Sequence, residues 1–386
     1  MDCPPLFNAW LHSGAGHMQL LEQARCGPSV SSSQKSYEML LMEREAILGL
    51  RDFVDSATPR DVTDEIVMAT LALALHPPER KRVPASRMKQ TPLSNLQLLS
   101  RFTDIVISGG HVHGLRLLVE ARGGFDTLEM PGLKQGLSSF NLIVASKHLA
   151  RPFWPLRTHL QSDEVTDFLA NIECPCSPFK EPSHPYLTSA LPNLMSWEFE
   201  AVRGYTTLLD RYSQGLLPQL EMGYVLELRN MIHHHVMSLP TVDELLTSHQ
   251  DLPSTYGSLR LGLIAYSLLI LFPVPLTTDP HPRLADLLRY ELELTQMKLD
   301  IWMPMVELLL WVLVLGGVAA VGTVHRPWYV DQIQWLSVVI GIESWEQLKD
   351  TMASILWLDS ACDIEGLILW EEVQDCVLEL YFESEC

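Results

Sequence analysis

Basic side chains are scarce in this sequence. Its 386 residues include 27 lysines and arginines against 47 aspartates and glutamates, which gives a formal net charge of −20. An overall field of that sign repels phosphate backbones rather than collecting them. We therefore expect no direct binding of nucleic acid by this chain, although its length is sufficient to bury a large core.

Cysteines are few and lack the spacing of a disulfide framework. The seven positions are an odd number scattered along the chain: Cys3, Cys26, Cys174, Cys176, Cys362, Cys376 and Cys386. The chain also opens with an acid, Asp2, where a signal peptide needs basic residues. Both features predict an intracellular protein with reduced thiols and no disulfide.

Uninterrupted apolar runs long enough to span a membrane are also missing. Leu261 to Thr278 and Leu308 to Val324 approach the roughly 20 residues that a membrane helix needs. The first run contains Pro273 and the second contains Gly316-Gly317, and neither has a clustered basic flank. We interpret both as buried core helices and expect no membrane association.

No catalytic or metal-binding motif is complete. His233, His234 and His235 are consecutive, and on a helix consecutive side chains point about 100° apart and cannot meet at one ion. Cys174 and Cys176 supply two thiols, whereas a structural zinc ion needs four ligands. We predict no metal and no cofactor, with the histidines in the core or on the surface.

The periodicity predicts an all-α protein, built as one large multi-helix bundle or as two lobes. Residues 1–34 are rich in Gly, Pro and Ser, and we expect a flexible N-terminal arm there, followed by one helical domain over 35–386. Several prolines between 151 and 190 indicate a seam between halves. The predicted helices are Ser36 to Val54, Ile66 to Leu75, Leu93 to Ile107, His111 to Arg122, Leu133 to Leu149, Asp163 to Ile172, Leu194 to Tyr212, Leu220 to Met237, Leu259 to Phe272, Leu284 to Ile301, Met305 to Val321, Val330 to Ile340, Trp345 to Leu356 and Ile364 to Leu380.

Three blocks carry a likeness to a known family. The first is His111 to Leu128, a helix with apolar residues at helical spacing that ends at Gly123-Gly124. The second runs from Leu310-Trp311 through Gly316-Gly317 to Arg326-Pro327-Trp328-Tyr329, and the third from Trp357 through Cys362 to Glu372. In order and spacing they resemble the fungal-specific transcription factor domain, over most of the chain from about Ser36. The second block also predicts close helix contact at the glycines and a turn at Arg326 to Trp328 that folds an aromatic onto the core.

The resemblance implies a transcriptional regulator or co-regulator of metabolic or secondary-metabolite genes, located in the nucleus, with the cytoplasm as a second location. It implies protein partners, either a second copy of the chain or a complete zinc-cluster factor, and a small-molecule effector held between apolar helices. The sequence departs from the family at its front, where a two-zinc cluster needs six cysteines and Met1 to Gln34 has two. A DNA-free scaffold or co-regulator is therefore the alternative.

Arg80, Lys81 and Arg82 form the chain's basic cluster, which could serve as a nuclear import signal. A solvated loop between helices would show the same charges.

An enzyme of the terpene-cyclase type is the remaining alternative. Asp163, Glu164 and Asp167 approach the acidic motif that such an enzyme uses to hold magnesium against a diphosphate. No second metal-binding motif follows, and acids at a helix start are explained by the helix dipole. We therefore expect no enzymatic activity.

Overall fold

The computed structural model describes residues 3–26, 33–56, 61–74, 109–172, 193–217, 221–248, 253–274, 276, 280–295, 297 and 299–384. These residues form helices and connecting segments without any strand, so the predicted all-α class is confirmed. The helices are α1 Pro4–Cys26, α2 Ser33–Ser56, α3 Asp64–Ala74, α4 Gly109–Ala121, α5 Leu133–His148, α6 Ser162–Ile172, α7 Ser196–Ser213, α8 Met222–Ser238, α9 Val242–Thr247, α10 Tyr256–Ile270, α11 His281–Leu294, α12 Leu299–Trp302, α13 Val306–Ala319, α14 Arg326–Ile340, α15 Trp345–Ile355 and α16 Asp359–Ser384. The predicted helix Leu93 to Ile107 lies outside the described residues.

The chain divides into two compact units. Among the described residues, unit 1 contains 3–74, 109–144 and 153–158, and unit 2 contains 145–152 and 159–384. The chain leaves unit 1 for the last time after Thr158, a position within the predicted seam at 151–190. It also changes from unit 1 to unit 2 after Val144, inside α5, which the sequence predicts as one uninterrupted helix.

The N-terminal segment corrects the expectation of a flexible arm over residues 1–34. Pro4–Cys26 is a helix, and it runs antiparallel to α2, since Pro5 lies against Gly49 while His12 bonds to the carbonyl of Met39. Its buried positions Leu6, Ala9, His12 and Gly16 do recur at helical spacing. Ala, His and Gly are small or polar, so this face carries little hydrophobic signal in the sequence.

Helix α2 is where predicted, but only part of its predicted face packs. The spacing of Leu40, Ile47, Leu50 and Val54 indicates one core face, yet Leu40, Ile47 and Val54 are 61%, 46% and 61% exposed. Leu50 does pack, beside the fully buried Ala46, in the contact with α1 and α3. Small residues allow helix backbones to approach closely, so the packed face turns towards Ala46 and Gly49.

The end of α4 confirms the predicted glycine stop. Gly123 and Gly124 both have positive φ, at 110° and 101°, and the Gly124 N–H donates to Val119 O one turn back. The chain then forms a 3₁₀ turn at Phe125–Thr127 and continues to α5. Val119, Phe125 and residues of α3 and α5 share the main core of unit 1.

Helix α13 is the centre of unit 2. It is surrounded by α10, α11, α14, α15 and α16, and every residue from Leu308 to Ala319 is buried. By length and composition, the helical stretch Asp300–Ala319 could cross a membrane. Its burial within unit 2 favours the interpretation as a core helix.

The second sequence block is a packing site, with one correction. A Cβ on Gly316 would overlap the Tyr329 ring, and a Cβ on Gly317 would lie 2.8 Å from Leu369, so both glycines permit the predicted close contact. Arg326 to Trp328 is not a turn but the start of α14, because Pro327 suits the first turn of a helix. The aromatic residue in the core is Tyr329, which donates to Ala285 O, whereas Trp328 is only half-buried.

Candidate functional site

An open groove in unit 1 is the strongest candidate site. Its volume is about 1000 Å³, and its walls come from the start of α1, the second half of α2, the start of α3 and the segment after the 3₁₀ turn. The lining residues are Cys3, Pro4, Pro5, Leu6, Trp10, Gly49, Asp52, Phe53, Thr63, Glu65, Ile66, Met130 and Pro131. Because the start of α1 is one of these walls, the groove depends on the helix that the sequence did not predict.

The close crossing of α1 and α2 shapes one end of the groove. A Cβ at Gly49 would lie 2.8 Å from Cγ of Pro5, closer than real Cβ atoms come to a neighbour. Any larger residue at position 49 would push α1 away from α2. Gly49 therefore sets the distance between two walls.

Asp64 fixes a third wall. Its carboxylate accepts hydrogen bonds from the backbone N–H groups of Glu129 and Met130 at 2.6 and 2.7 Å, and from Arg122 Nε at 2.8 Å. Burial alone would raise the pKa of Asp64, but the two N–H donors and the Arg122 charge outweigh it and hold the pKa below the ordinary value of 3.8. An ionised Asp64 thus ties Met130, a lining residue, to the start of α3.

The polar groups of the groove are acidic. Among the lining residues that the structure describes, Asp52 and half-buried Glu65 are the carboxyls, and none is a lysine, arginine or histidine. Within that described lining, Cys3 and Thr63 have no histidine or lysine beside them that could activate them as nucleophiles. Apolar walls with two carboxyls favour binding over bond making.

Unit 2 holds a buried serine-histidine-serine group, in which a second serine stands where a hydrolytic triad has a carboxylate. His233 Nε2 lies 2.8 Å from Ser146 Oγ, and His233 Nδ1 lies 2.7 Å from Ser267 Oγ. All three side chains are at most 1% exposed, and Phe272 stacks on the imidazole at 4.6 Å. No substrate can reach this serine-histidine pair, which satisfies hydrogen bonds inside the core instead.

Burial keeps that histidine neutral. Loss of hydration, with the charge of nearby Arg229 and His234 adding to it, lowers the pKa of His233 to about 3. Arg229 is itself 2% exposed, lies over the Phe272 ring and bonds to the Asn230 side chain, and burial lowers its pKa to about 10. The sequence predicts that His233 lies either in the core or on the surface, because the spacing of three consecutive histidines does not show which one faces inward.

The three histidines do not converge, as their spacing predicts. The ring of His235 lies tilted against that of Trp197, with centroids 4.5 Å apart, and its Nδ1 is 3.8 Å from Glu198, while His233 is buried in the core. Among the residues that the structure describes, no group of three or more His, Cys, Asp or Glu side chains could hold a metal ion.

The acidic motif weighed for a cyclase lies on an exposed helix start. Asp163, Glu164 and Asp167 are all exposed on α6, and Glu164 accepts from the Gln161 N–H. An acceptor at this place satisfies a free N–H of the first helical turn. The candidate import residues Arg80, Lys81 and Arg82 lie outside the described residues, as do Cys174 and Cys176.

Two tryptophans are buried in the acid-rich region from Glu343 onwards. Trp357 and Trp370 are 2% and 5% exposed, and Trp357 Nε1 donates to Asp363 at 2.8 Å. Lys349 lies between Asp359 and Asp363 at 2.8 and 2.6 Å. These two tryptophans therefore pack in the core and are not available as a contact surface.

No protein-family profile, curated protein or solved structure matches this chain.

Proposed function

We propose that this chain is a regulatory protein that acts by binding, of the transcriptional regulator or co-regulator kind that its sequence resembles. The observation that carries the proposal is the groove of unit 1, which is open and mainly apolar, and whose described lining residues include no nucleophile-base pair. Such a site suits a small effector molecule whose binding shifts the protein's population from one conformation to another.

A second surface supports the proposal that the chain binds a protein partner. Tyr37, Leu40, Ile47 and Val54 lie on the outer face of α2 and are 46% to 63% exposed. Leu40, Ile47 and Val54 are seven residues apart, the spacing at which one helix packs along another. Large apolar side chains that recur along the exposed side of a helix mark interaction surfaces in many proteins.

The net charge of −20 favours a role without direct DNA contact. In that case a partner, either a complete zinc-cluster factor or another DNA-binding protein, supplies promoter recognition. A nuclear location, with the cytoplasm as the second compartment, completes the proposal.

A reporter experiment tests the regulatory role. The full chain is fused to an unrelated DNA-binding module, and transcription from its promoter is measured against the module alone. We expect transcription to change, and to change less when the fusion carries Ile47→Asp, because a charge on the outer face of α2 weakens a partner contact. Glu120→Gln on the exposed side of α4 serves as a control. Transcription equal to that of the module alone would contradict the proposal.

The import cluster is tested separately. Replacing Arg80, Lys81 and Arg82 by glutamine in a fluorescent fusion is expected to shift the protein from nucleus to cytoplasm, because import receptors bind clustered positive charge. Replacing Arg87 and Lys89 is the matched control. Unchanged nuclear fluorescence would assign the cluster to a solvated loop.

A further inference from the structure

We propose that one face of unit 2, formed by the outer sides of α14 and α16, binds a basic amphipathic helix of a partner protein. The inference rests on the binding role proposed above and names the chemistry of the partner. Two features of the face carry it: a group of large exposed apolar side chains, and exposed acids beside them on helices that carry no exposed lysine or arginine.

Large apolar side chains are exposed on both helices. Each helix packs against α13 through its buried side, and the two helices also pack against each other. The apolar residues on their outer sides are 38% to 76% exposed: Trp335, Val338 and Val339 on α14, and Ile364, Leu367 and Ile368 on α16. Groups of exposed apolar side chains bordered by polar residues mark interaction sites in many proteins.

The packing of the two helices places these side chains at the same level. Arg326, at the start of α14, pairs with Glu372 of α16 at 2.7 and 2.9 Å. Further along α14, Ile333 lies beside Leu369, because both side chains approach the Cα of Gly317 on α13. The helices are therefore antiparallel, and the second half of α14 lies level with the first three turns of α16. Packed helices are about 8–10 Å apart, so the two apolar groups adjoin each other.

Exposed acids lie at one end of this face. On α14, Asp331 is exposed and lies one turn before Trp335. On α16, Glu371 and Asp375 are exposed and lie one and two turns after Ile368. Because the helices are antiparallel, the three acids share the same end of the face, next to the apolar part.

The two helices supply no exposed cation to this end. Arg326 is the one lysine or arginine in their sequences, and it is 8% exposed and paired with Glu372. Lys349 of the adjoining α15 is paired with two other acids. Glu371 and Asp375 are four residues apart, a spacing at which like charges repel on a helix. Helix stability therefore does not account for these acids, whereas a basic partner does.

The order of the two parts describes the partner. An amphipathic helix binds such a face through apolar anchors on one side, and here the anchors meet the region around Ile364. Ile364 and Asp375 are about 16 Å apart along α16, so lysines or arginines follow the anchors after about three turns. A second copy of this chain fits less well, because it brings the same acids to the contact.

The experiment measures binding of fluorescent peptides to the full chain by fluorescence anisotropy. The probe is a helical peptide of about five turns, with leucines on one side of its first half and lysines on the same side of its second half. One comparison peptide has glutamate in place of each lysine, and another has the composition of the probe in scrambled order. We expect the probe to bind about tenfold more tightly than either comparison peptide, through apolar contact and charge together.

Variants of the chain test the apolar part of the face. Ile364→Ser should weaken binding of the probe about tenfold, because it removes an apolar anchor contact. Leu246→Ser on α9, at a leucine 58% exposed, is the matched control and should leave the affinity unchanged.

A second pair of variants tests the acids. Glu371→Gln combined with Asp375→Asn should weaken binding several-fold and reduce its dependence on salt. Asp163→Asn combined with Glu164→Gln removes the same number of exposed charges from α6 and should change neither. Thermal unfolding followed by circular dichroism checks that each variant is folded.

Two results would overturn the inference. Equal binding of the scrambled peptide, or equal effects of the α16 and α6 charge variants, would mean that the net negative charge of the chain attracts any basic peptide. Sedimentation velocity tests the competing occupant: a dimer of the full chain that Ile364→Ser dissociates would assign the face to a second copy.

Failure of all three peptides to bind would remove this face as a site for a basic helix. The reporter experiment does not depend on the peptides, so a change in reporter transcription would still support the regulatory role. The two proposals can therefore fail separately.

Discussion

The two units bury their ionisable groups in opposite ways. In unit 1, Asp64 is ionised and its charge is matched by Arg122 and two backbone N–H groups. In unit 2, His233 is kept neutral between two serine hydroxyls in a core that excludes water. The contrast shows two solutions to one problem, because a buried polar group is stable either as a paired charge or as a neutral group with its hydrogen bonds made.

The two units also differ in their packing. In unit 2 the helix α13 is buried on all sides from Leu308 to Ala319, whereas unit 1 leaves a groove open beside α1, α2 and α3. Both units expose large apolar side chains, for example Leu40 on α2 and Val338 on α14. We interpret unit 2 as the main source of packing stability and the groove of unit 1 as the place for a bound partner. The following predictions test this comparison.

The largest expected effect is in the core of unit 2. Trp311 is fully buried and donates to Leu356 O at 2.9 Å, so Trp311→Ala should lower the free energy of unfolding by about 3–5 kcal/mol. Denaturant unfolding followed by circular dichroism measures it. Trp335→Ala, at a tryptophan 39% exposed on α14, should cost less than about 1 kcal/mol. Equal losses for the two variants would contradict the assignment of α13 as the centre of the core.

The next largest effect on stability is expected at Asp64, the paired charge of unit 1. Asp64→Ala leaves Arg122 and two N–H groups without their acceptor, and should cost about 2–3 kcal/mol, reduced because Arg122 is 29% exposed. Amide hydrogen exchange at Met130 should accelerate, because its N–H loses its acceptor. Asp126→Ala, at an exposed aspartate of the same segment, is the control and should leave the Met130 exchange rate unchanged.

Acidification should reduce the stabilising contributions of the two buried groups, His233 and Asp64, in different pH ranges. The pKa of His233 is lower in the folded chain than the ordinary 6.5, so the unfolded state binds more protons and stability falls as the pH drops from about 6.5 towards about 3. The loss should reach about 2 kcal/mol at pH 5. The pKa of Asp64 is also lowered, so its contribution is present above the ordinary value of 3.8 and is lost only below it.

Unfolding curves recorded from pH 7 to pH 4 measure the slope of stability against pH. His233→Gln should flatten it within that range, since glutamine does not titrate, while His113→Gln at an exposed histidine of α4 should leave it unchanged. A slope that survives His233→Gln would place the acid-sensitive group elsewhere.

The smallest expected effect is on the outer face of α2. Ile47→Ser should change the free energy of unfolding by less than about 0.5 kcal/mol, because the side chain is 46% exposed. Ile143→Ser on α5, at an isoleucine 8% exposed, should cost several times more in the same unfolding assay. Similar costs would mean that the α2 face is packed, and would remove it as a partner surface.

Much of the helical layout was predictable from local signals. The end of α4 at Gly123-Gly124 and the start of α6 near Asp163 follow from glycine stops and first-turn acids. Helix α1 was missed because its packed face consists of Leu6, Ala9, His12 and Gly16, which are mostly small or polar. The groove was missed with it, since residues of α1 form its walls.

The sequence by itself determined that this protein is built from helices, and approximately where most of them begin and end, because turn residues and apolar spacing act over a few residues. Only the tertiary structure decided that α2 packs through Ala46 rather than Leu40, that His233 is the inward histidine, and that Trp10, Asp52 and Glu65 line one groove. The physical reason is that each of these depends on how closely one helix approaches another, which local sequence signals do not fix. That distance is set by small residues such as Gly49 and Gly316, whose contribution becomes visible only when the opposing side chain is known.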